Sequence, residues 1–352
     1  MDEQATTTTR RRFLGTAAGA TGVALGAAVW GANQAAAAAI PGEAAQRLPA
    51  ADKRSFVSGK FALELDGIGA GWLRDADGGQ AFADVVTEKV GPDHIAHKHL
   101  AGVKYEDITV TSGTGMSKNF YSWIAASWKT TFARKDGSII AADFNLQAKS
   151  VREFVNGLIT ETTIPAMDAS SKDAAFMTVK FAPEFVRNKN GSGKVDQPVP
   201  PSQKKWLPSN FRLEIDGLDC TRVNKIDAFT VKLSVVSNST GELSEVEVEP
   251  AHVEFPNLVI TFAESSAASW QKWFETFVVQ SNNGDEQEKS GTLTFLAPDL
   301  KSELGKVSFF HLGIFKLDDD ASEDASGSVI QRVKAELYCE RMEFQFGPAT
   351  NA

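Results

Sequence analysis

The chain has 352 residues, of which 42% are hydrophobic and 23% are charged, and its formal net charge at pH 7 is −9. This composition is that of an ordinary globular protein with enough length for two hydrophobic cores of about 150 residues each. The acidic balance argues against electrostatic binding to nucleic acid or to an anionic membrane.

The first 39 residues have the features of an export signal. Arg10, Arg11, Phe13 and Leu14 fit the twin-arginine pattern, and an apolar run rich in Ala and Gly follows them. Small residues at the end of that run predict cleavage after about Ala39. A transmembrane anchor is the alternative, and no later run is long enough to span a bilayer. We therefore expect export by the twin-arginine route to the periplasm or the extracellular space, without membrane attachment after cleavage.

Two octapeptides, FALELDGI at Phe61–Ile68 and FRLEIDGL at Phe211–Leu218, lie 150 positions apart. The same spacing relates a helical segment that contains Trp123 to one that contains Trp273. A repeat of this length indicates an ancestral domain duplication, because the units of a solenoid are only a few tens of residues long.

Alternating apolar residues predict strands in both copies. Phe61 and Leu63 in the first copy, and Phe211 and Leu213 in the second, begin strands with one buried face, and each strand ends in an Asp-Gly turn with Gly67 or Gly217. Further alternation predicts strands at 108–110, 177–181, 258–262 and 333–339. Short strands between turn residues are typical of a sandwich or barrel.

Each copy also contains one predicted helix. In the first copy it starts near Ser117, and in the second Ser265 or Ser266 is the candidate N-cap. The apolar residues that follow fall at helical spacing and are Phe120, Trp123, Ile124 and Trp128 in the first copy, and Trp270, Trp273, Phe274, Phe277 and Val278 in the second. We interpret both stripes as core, with a carbohydrate-stacking platform as the alternative.

The segment between the copies has the composition of a linker. Asn190–Gly193 is rich in Gly and Ser, and Pro198, Pro200, Pro201 and Pro208 follow. This pattern predicts a linker that is flexible at its start and stiffer at its end.

Three histidines, His94, His97 and His99, form an H-x-x-H-x-H cluster. His97 and His99 would share one face of a strand, as two metal ligands do, but His94 would need a bend to join them. We interpret the cluster as a solvated or interface strand, with a zinc or copper site as the alternative.

The acidic run from Asp318 to Asp324 alternates as a calcium loop does, but Glu323 occupies the position where such a loop needs Gly. We therefore expect a solvated loop. Cys220 and Cys339 both lie in the second copy, and export would permit a disulfide between them, with two buried free thiols as the alternative.

No serine lies in a Gly-x-Ser-x-Gly elbow, and no phosphate-binding Gly loop precedes a helix. We therefore expect no enzymatic activity, no metal and no cofactor, and a secreted metalloenzyme that uses the three histidines is the least favoured function.

The segments Lys98–Val110 and Phe120–Ile124 carry a resemblance to a known family. A strand, a turn at Gly102, a second strand that follows Tyr105, and a helix with a Tyr-x-Trp pair at Trp123 resemble the same succession in contractile-phage tail-tube proteins. The match covers roughly 61–186 and is weaker over 211–346, where Glu254–Asn257 replaces the Gly turn.

The resemblance implies two tandem tail-tube-like β-barrel or sandwich domains, each with one flanking helix, in a fold that type VI secretion tubes share. The expected organisation is a signal (1–39), an N-terminal segment (40–57), domain 1 (58–187), a linker (188–209), domain 2 (210–347) and a tail (348–352). In such families six barrels form a ring and rings stack, so three chains would form one ring. The implied stacking loop is Asp75–Gly91.

We therefore expect an exported, non-catalytic structural protein that self-associates into rings or tubes, with a trimer favoured and other envelope or tube proteins as further partners. A monomeric exported binding module is the alternative. The residues expected to carry the fold and its edges are Phe61, Leu63, Gly67, Gly102, Tyr105, Trp123, Phe211, Leu213, Gly217, Trp270 and Trp273.

Overall fold

The structure is a computed structural model that describes residues 59–89, 95–197, 206–238, 247–323 and 329–346. The predicted export signal, His94 and the middle of the predicted linker lie outside these residues. The described chain is mainly β-strand, as the sequence predicts.

The first half consists of strands and one helix. In chain order they are β1 (Lys60–Leu65), β2 (Ile68–Leu73), β3 (Asp75–Gly78), β4 (Ala81–Glu88), β5 (His97–Tyr105), β6 (Ile108–Ser112), α1 (Lys118–Trp128), β7 (Lys135–Ala142), β8 (Ala148–Ile164), β9 (Met167–Asp168), β10 (Met177–Ala182) and β11 (Phe185–Asn190).

The second half largely repeats this order. Its elements are β12 (Phe211–Ile215), β13 (Val223–Ile226), β14 (Phe229–Asn238), β15 (Glu247–Glu254), β16 (Leu258–Ala263), α2 (Ala268–Phe274), β17 (Lys289–Leu296), β18 (Glu303–Glu323) and β19 (Val329–Phe346). A 3-10 turn at Glu264–Ser266 precedes α2, and a π-helical turn at Glu275–Val279 follows it.

The first hairpin forms as its sequence predicts. Leu63 and Leu65 are fully buried, and Leu65 pairs with Ile68 across a two-residue turn. Asp66 and Gly67 have φ values of 52° and 75°. Positive φ at both central residues is the geometry that Asp-Gly adopts readily. In the second half the Asp216–Gly217 turn is not followed by a strand equivalent to β2.

The two helices start differently. The Ser117 side chain caps α1 by accepting from the backbone N–H of Phe120 at 3.4 Å, as predicted. The N-cap of α2 is Ala267, without a side-chain cap, so the prediction of Ser265 or Ser266 was wrong. Those serines lie in the 3-10 turn, which already directs the chain into the helix.

The aromatic stripes of both helices are core, as predicted. Phe120, Trp123 and Trp270 are each no more than 2% exposed. Val278 is the exception in the predicted set, because the π-helical turn leaves it exposed. None of the helices among the described residues is long and apolar enough to cross a membrane.

The β-sheets are shared between the halves. A ten-stranded sheet includes β14 and β15 from the second half, and a seven-stranded sheet includes β9 from the first half. One cluster of buried side chains also contains residues from both halves, among them Phe181 and Phe309. The described part of the predicted linker packs against this fold, since Gln197 Oε1 accepts from Gly71 N at 3.1 Å and the Trp206 ring lies 5.0 Å from the Phe295 ring.

Two predicted loops are strands instead. Most of the predicted stacking loop Asp75–Gly91 is divided between β3 and β4. The acidic run after Lys316 continues β18 to Glu323, in register with β19. Asp318 there stands opposite Lys334. Opposite charges at facing positions favour an antiparallel pair, which is why an acidic run remains in a strand.

Candidate assembly site

The junction between the halves is an antiparallel strand pair. The end of β8 pairs with the start of β14, from Ile164 opposite Phe229 to Glu161 opposite Lys232. Within this pair the hydroxyls of Thr163 and Thr230 are 2.8 Å apart. The pairing docks the whole β14–β15 hairpin on the first half, because β14 is the only described strand that pairs with β15.

A charged contact supports the docked hairpin. Arg134, just before β7, pairs with Glu184 and donates from Nη2 to the Val248 carbonyl of β15. The same Nη2 atom lies 3.4 Å from Glu249 Oε1. Asn156 Nδ2 completes the group by donating to Glu184 Oε2 at 2.7 Å. The first half therefore presents a cation to an acidic strand of the second half.

Aromatic packing also joins the two halves. The ring of Phe344 in β19 lies 5.6 Å from the ring of Trp128 and 6.3 Å from that of Tyr121, both in α1. Burial raises the pKa of the Tyr121 hydroxyl well above its ordinary value, and this hydroxyl donates to the Gly113 carbonyl at 3.0 Å. Tyr121 is thus a neutral, buried part of the contact.

Equivalent positions in the two halves can be assigned from matching contacts. The indole of Trp123 donates to the Ala133 carbonyl, and that of Trp273 donates to the Gln287 carbonyl. Gly137 opposite Phe154 matches Gly291 opposite Phe309. The left-handed Asn156, with φ 53°, matches His311, with φ 57°.

Equivalent residues of the two halves therefore differ in number by 150 up to the helices. The difference is 154 between β7 and β17 and 155 between β8 and β18. It is 156 for β10 and β11, which together match β19.

The counterpart of the docked hairpin is unpaired. β4 and β5 form a separate two-stranded sheet, and no third described strand pairs with either of them. The hairpin exposes apolar side chains, with Val85 at 59% and Leu100 at 69%. Exposed apolar surface on a strand with an open edge is typical of an interaction site.

The counterpart of the docking strand is also open. β18 pairs with β17 only as far as Leu312, whereas its pairing with β19 continues to Glu323. On the β17 side the segment beyond Leu312 therefore has no partner among the described strands. Its Lys316–Asp319 stretch is equivalent to Glu161–Ile164, the part of β8 that holds β14.

The predicted fold and edge residues are distributed over this architecture. Leu63, Leu213, Trp270 and Trp273 are buried core, Tyr105 is half-buried against the Phe185 ring, and Gly102 is exposed in β5. Of these residues, Tyr105 and Gly102 lie in the unpaired hairpin. The hairpin also carries His97 and His99, both exposed, and His99 Nε2 lies 3.9 Å from Glu88.

The two cysteines are free thiols in this structure. Burial raises the pKa of Cys220 and of Cys339 to about 11. The Cys339 thiol donates to the Arg341 carbonyl at 3.2 Å. Thiols that stay protonated at neutral pH are weak nucleophiles and weak metal ligands.

Comparison with known proteins adds an independent finding for the first half. Residues 57–187 match the family model of the T4-like virus tail tube protein gp19. This match covers a little more than a third of the chain. A comparison with curated protein sequences found no match.

Several solved structures resemble part of the chain. A tube complex of an extracellular contractile injection system (PVC) is 18% identical, with a TM-score of 0.35 over 40% of this chain and 94% of its own. The tube-terminating cap of the anti-feeding prophage is 20% identical, with a TM-score of 0.37 over 42% and 99%. Hcp1 from Flavobacterium johnsoniae is 12% identical, with a TM-score of 0.24 over 39% and 98%.

Sequence reasoning missed the residues that form the junction. Arg134, Glu184 and Glu249 are ordinary surface charges in the sequence, and only long-range pairing brings them together. The internal repeat carried the signal that could have found them. Continuing the alignment of the two copies past the helices, through Gly137 and Gly291, would have matched β4–β5 with β14–β15 and β8 with β18.

Proposed function

We propose that the chain is an exported, non-catalytic structural protein that associates head to tail through its sheet edges, three chains to a ring. The observation that carries this proposal is the unpaired β4–β5 hairpin, whose counterpart β14–β15 is docked on β8 within the same chain. The internal junction therefore supplies a template for the contact between copies.

The template specifies the pairing. Val231 stands opposite Thr162 in the internal junction, and the equivalent residues are Ala81 in β4 and Leu317 in β18. We expect β4 of one copy to pair at Ala81 with Leu317 of the next copy. Because the two surfaces differ, the contact is heterologous, and such contacts close into rings when the rotation permits.

The geometry of β4 agrees with this role. Glu106 N donates to the Gln80 carbonyl at 2.9 Å, which makes Gln80 and Glu106 a hydrogen-bonded pair. In an antiparallel ladder the next residue then points its N–H and C=O away from the partner strand. Ala81 thus directs its backbone groups to the open edge, where a strand of a second copy can bind them.

We propose three chains per ring because the resemblance to tail-tube proteins implies rings of six units, and the repeat gives each chain two units. Two tube-like units per chain and six units per ring give three chains. Stacking of such rings would form a tube. The monomeric binding module remains the competing function, and it predicts that the exposed hairpin binds a different protein.

The first test is the mass in solution of the chain from Ile40 to Ala352, measured by light scattering over a concentration series. We expect a three-chain mass that is retained on dilution into the low micromolar range. The Ala81→Pro variant should be monomeric, because proline removes the outward N–H and leaves the bonds between β4 and β5 intact.

The matched control is Ala81→Val, which keeps the N–H and favours a strand. It should retain the three-chain mass. A wild-type chain that is monomeric at every concentration would contradict the proposed assembly, and so would an Ala81→Pro variant that associates as the wild type does.

A further inference from the structure

Three side chains of the second half form a group of metal-ligand type. Glu288, His311 and Glu340 each place a ligand atom within 4.8 Å of the others. His311 Nδ1 is 2.8 Å from Glu288 Oε2, and the Tyr338 hydroxyl donates to Glu288 Oε1 at 2.7 Å. The Glu288 side chain is only 8% exposed, so its carboxylate is held in place.

The equivalent positions of the first half are Arg134, Asn156 and Glu184. There the Arg134 guanidinium pairs with the Glu184 carboxylate. In the second half Glu340 keeps the carboxylate, but Glu288 replaces the cation with a second acid. Among the described residues, no lysine or arginine pairs with Glu288 or Glu340 within 4.0 Å. The second half has therefore exchanged an internal cation for a group that attracts an external one.

The internal junction also shows what faces this group. Arg134 contacts Glu249 of β15 across the junction. The residue 150 positions earlier is His99 of β5, and Glu247 corresponds in the same way to His97. In a head-to-tail assembly these imidazoles of one copy would face the two acids and His311 of the next. The charges at this contact would be reversed relative to those at the internal junction.

We infer that Glu288, His311 and Glu340 form a divalent metal site of the zinc class, completed by His99 of a second copy. Two imidazoles and two carboxylates match the four nitrogen and oxygen ligands that zinc takes in tetrahedral sites. Imidazole ligands also favour zinc over calcium or magnesium. The metal would join two chains at the ring contact, and His97 lies two residues away on the same strand as a further donor.

This inference rests on the proposed head-to-tail assembly, and the experiment separates the two. The untagged chain from Ile40 to Ala352 is stripped with EDTA and dialysed against zinc chloride. Bound zinc is counted by elemental analysis, and the mass is measured in parallel by light scattering. We expect one zinc per chain and an association at least tenfold tighter than in EDTA.

Two variants test the ligands, and a third is the matched control. His311→Ala and His99→Ala should each weaken zinc binding by at least tenfold. His252→Ala changes an exposed histidine of β15 outside the site and should bind zinc as the wild type does. All three variants should unfold in one cooperative thermal transition in EDTA, which shows that they are folded, and the midpoint of His311→Ala should be the lowest because this variant loses the contact with Glu288.

Each other outcome contradicts a specific part of the proposal: the metal site, the contribution of the second copy, or the assembly. A wild-type chain that forms three-chain particles but retains no stoichiometric zinc overturns the metal site and leaves the assembly intact. Loss of binding in His311→Ala alone, with His99→Ala unaffected, overturns the contribution of the second copy. A chain that stays monomeric while binding zinc through His311 contradicts the proposed function and the shared site, but not the three ligands within one chain.

Discussion

Trp123 has two roles in the core that the halves share. Its side chain is 2% exposed and packs against the Phe181 ring, with a centroid distance of 5.4 Å. Its indole N–H also donates to the Ala133 carbonyl at 2.8 Å. A carbonyl that is shielded from water and loses its donor destabilises the fold by its desolvation free energy. The hydrogen bond from Trp123 therefore fixes the segment after α1, while the ring packs in the core.

The substitution Trp123→Phe should lower the free energy of unfolding by about 1 to 3 kcal/mol, through the lost hydrogen bond and the lost ring volume. The measurement is the urea midpoint, followed by fluorescence of the remaining tryptophans. Trp72→Phe is the control, since Trp72 is only half-buried in β2. Equal midpoints for the two variants would contradict the role assigned to Trp123.

For single residues, the sequence predicted the features that depend on local spacing. The buried side chains of Leu63 and Leu213 follow from alternation, and the cap at Ser117 follows from its position before an apolar stripe. The cluster of Glu288, His311 and Glu340 did not follow, because it is brought together by the residue before β17 and by positions in β18 and β19. Side chains that meet only through tertiary pairing leave no local pattern.

The β4–β5 hairpin pairs with no other described strand of its own chain. Its start carries the edge proposed for ring closure, whereas its outer part carries exposed Val85, Val86 and Leu100. These apolar side chains lie beyond the proposed pairing at Ala81. We therefore propose that the face with Val85 and Leu100 contacts a stacked ring, because His99 lies opposite Val86 on the other face of the hairpin.

Replacing residues 84–102 with Asn-Gly tests this assignment. Ala83 stands opposite Val103, so a two-residue turn can join them. In EDTA, we expect the shortened chain to keep its three-chain mass, because the edge at Ala81 remains, and to lose larger particles seen by electron microscopy. Its thermal midpoint should change by no more than about 2 °C, since the removed side chains that the structure describes are exposed or half-buried.

The wild-type chain in EDTA is the reference for this comparison. Larger particles that persist after the hairpin is shortened would contradict a stacking role. A monomeric shortened chain would place ring closure in the removed residues instead of at Ala81.

Among the elements, the sequence predicted those with a clear period and missed those stabilised by partners. β6, β10 and β12 each have one buried face that alternation reveals, whereas β1 also buries Ala62 on its second face. The acidic end of β18 has no such pattern, and its strand conformation depends on pairing with β19. The same holds for most of the predicted loop Asp75–Gly91, whose strands pair with β5 and β6.

At the scale of the whole molecule, the two halves share sheets and one core. The composition of residues 188–209 predicts a linker, but composition carries no information about the contacts on either side of it. Those contacts are the pairing of β8 with β14, the Phe344 ring against α1, and the ion pair of Lys129 with Glu343 at 3.3 Å. A covalent connection is therefore not what holds the halves together.

Cutting the connection tests this conclusion. A protease site inserted between Gln203 and Lys204 lies outside the described residues, and cleavage there should leave both fragments in one particle on size-exclusion chromatography. Burial of one aromatic side chain such as Phe344 contributes about 2 to 3 kcal/mol, and the strand pair adds to it. The Phe344→Asp variant should release the fragments after cleavage, because it places a charge against Trp128 and Tyr121. Fragments of the wild-type chain that elute separately would show that the linker, and not the shared sheet, holds the halves together. The internal junction would then be too weak to serve as a template for contacts between copies.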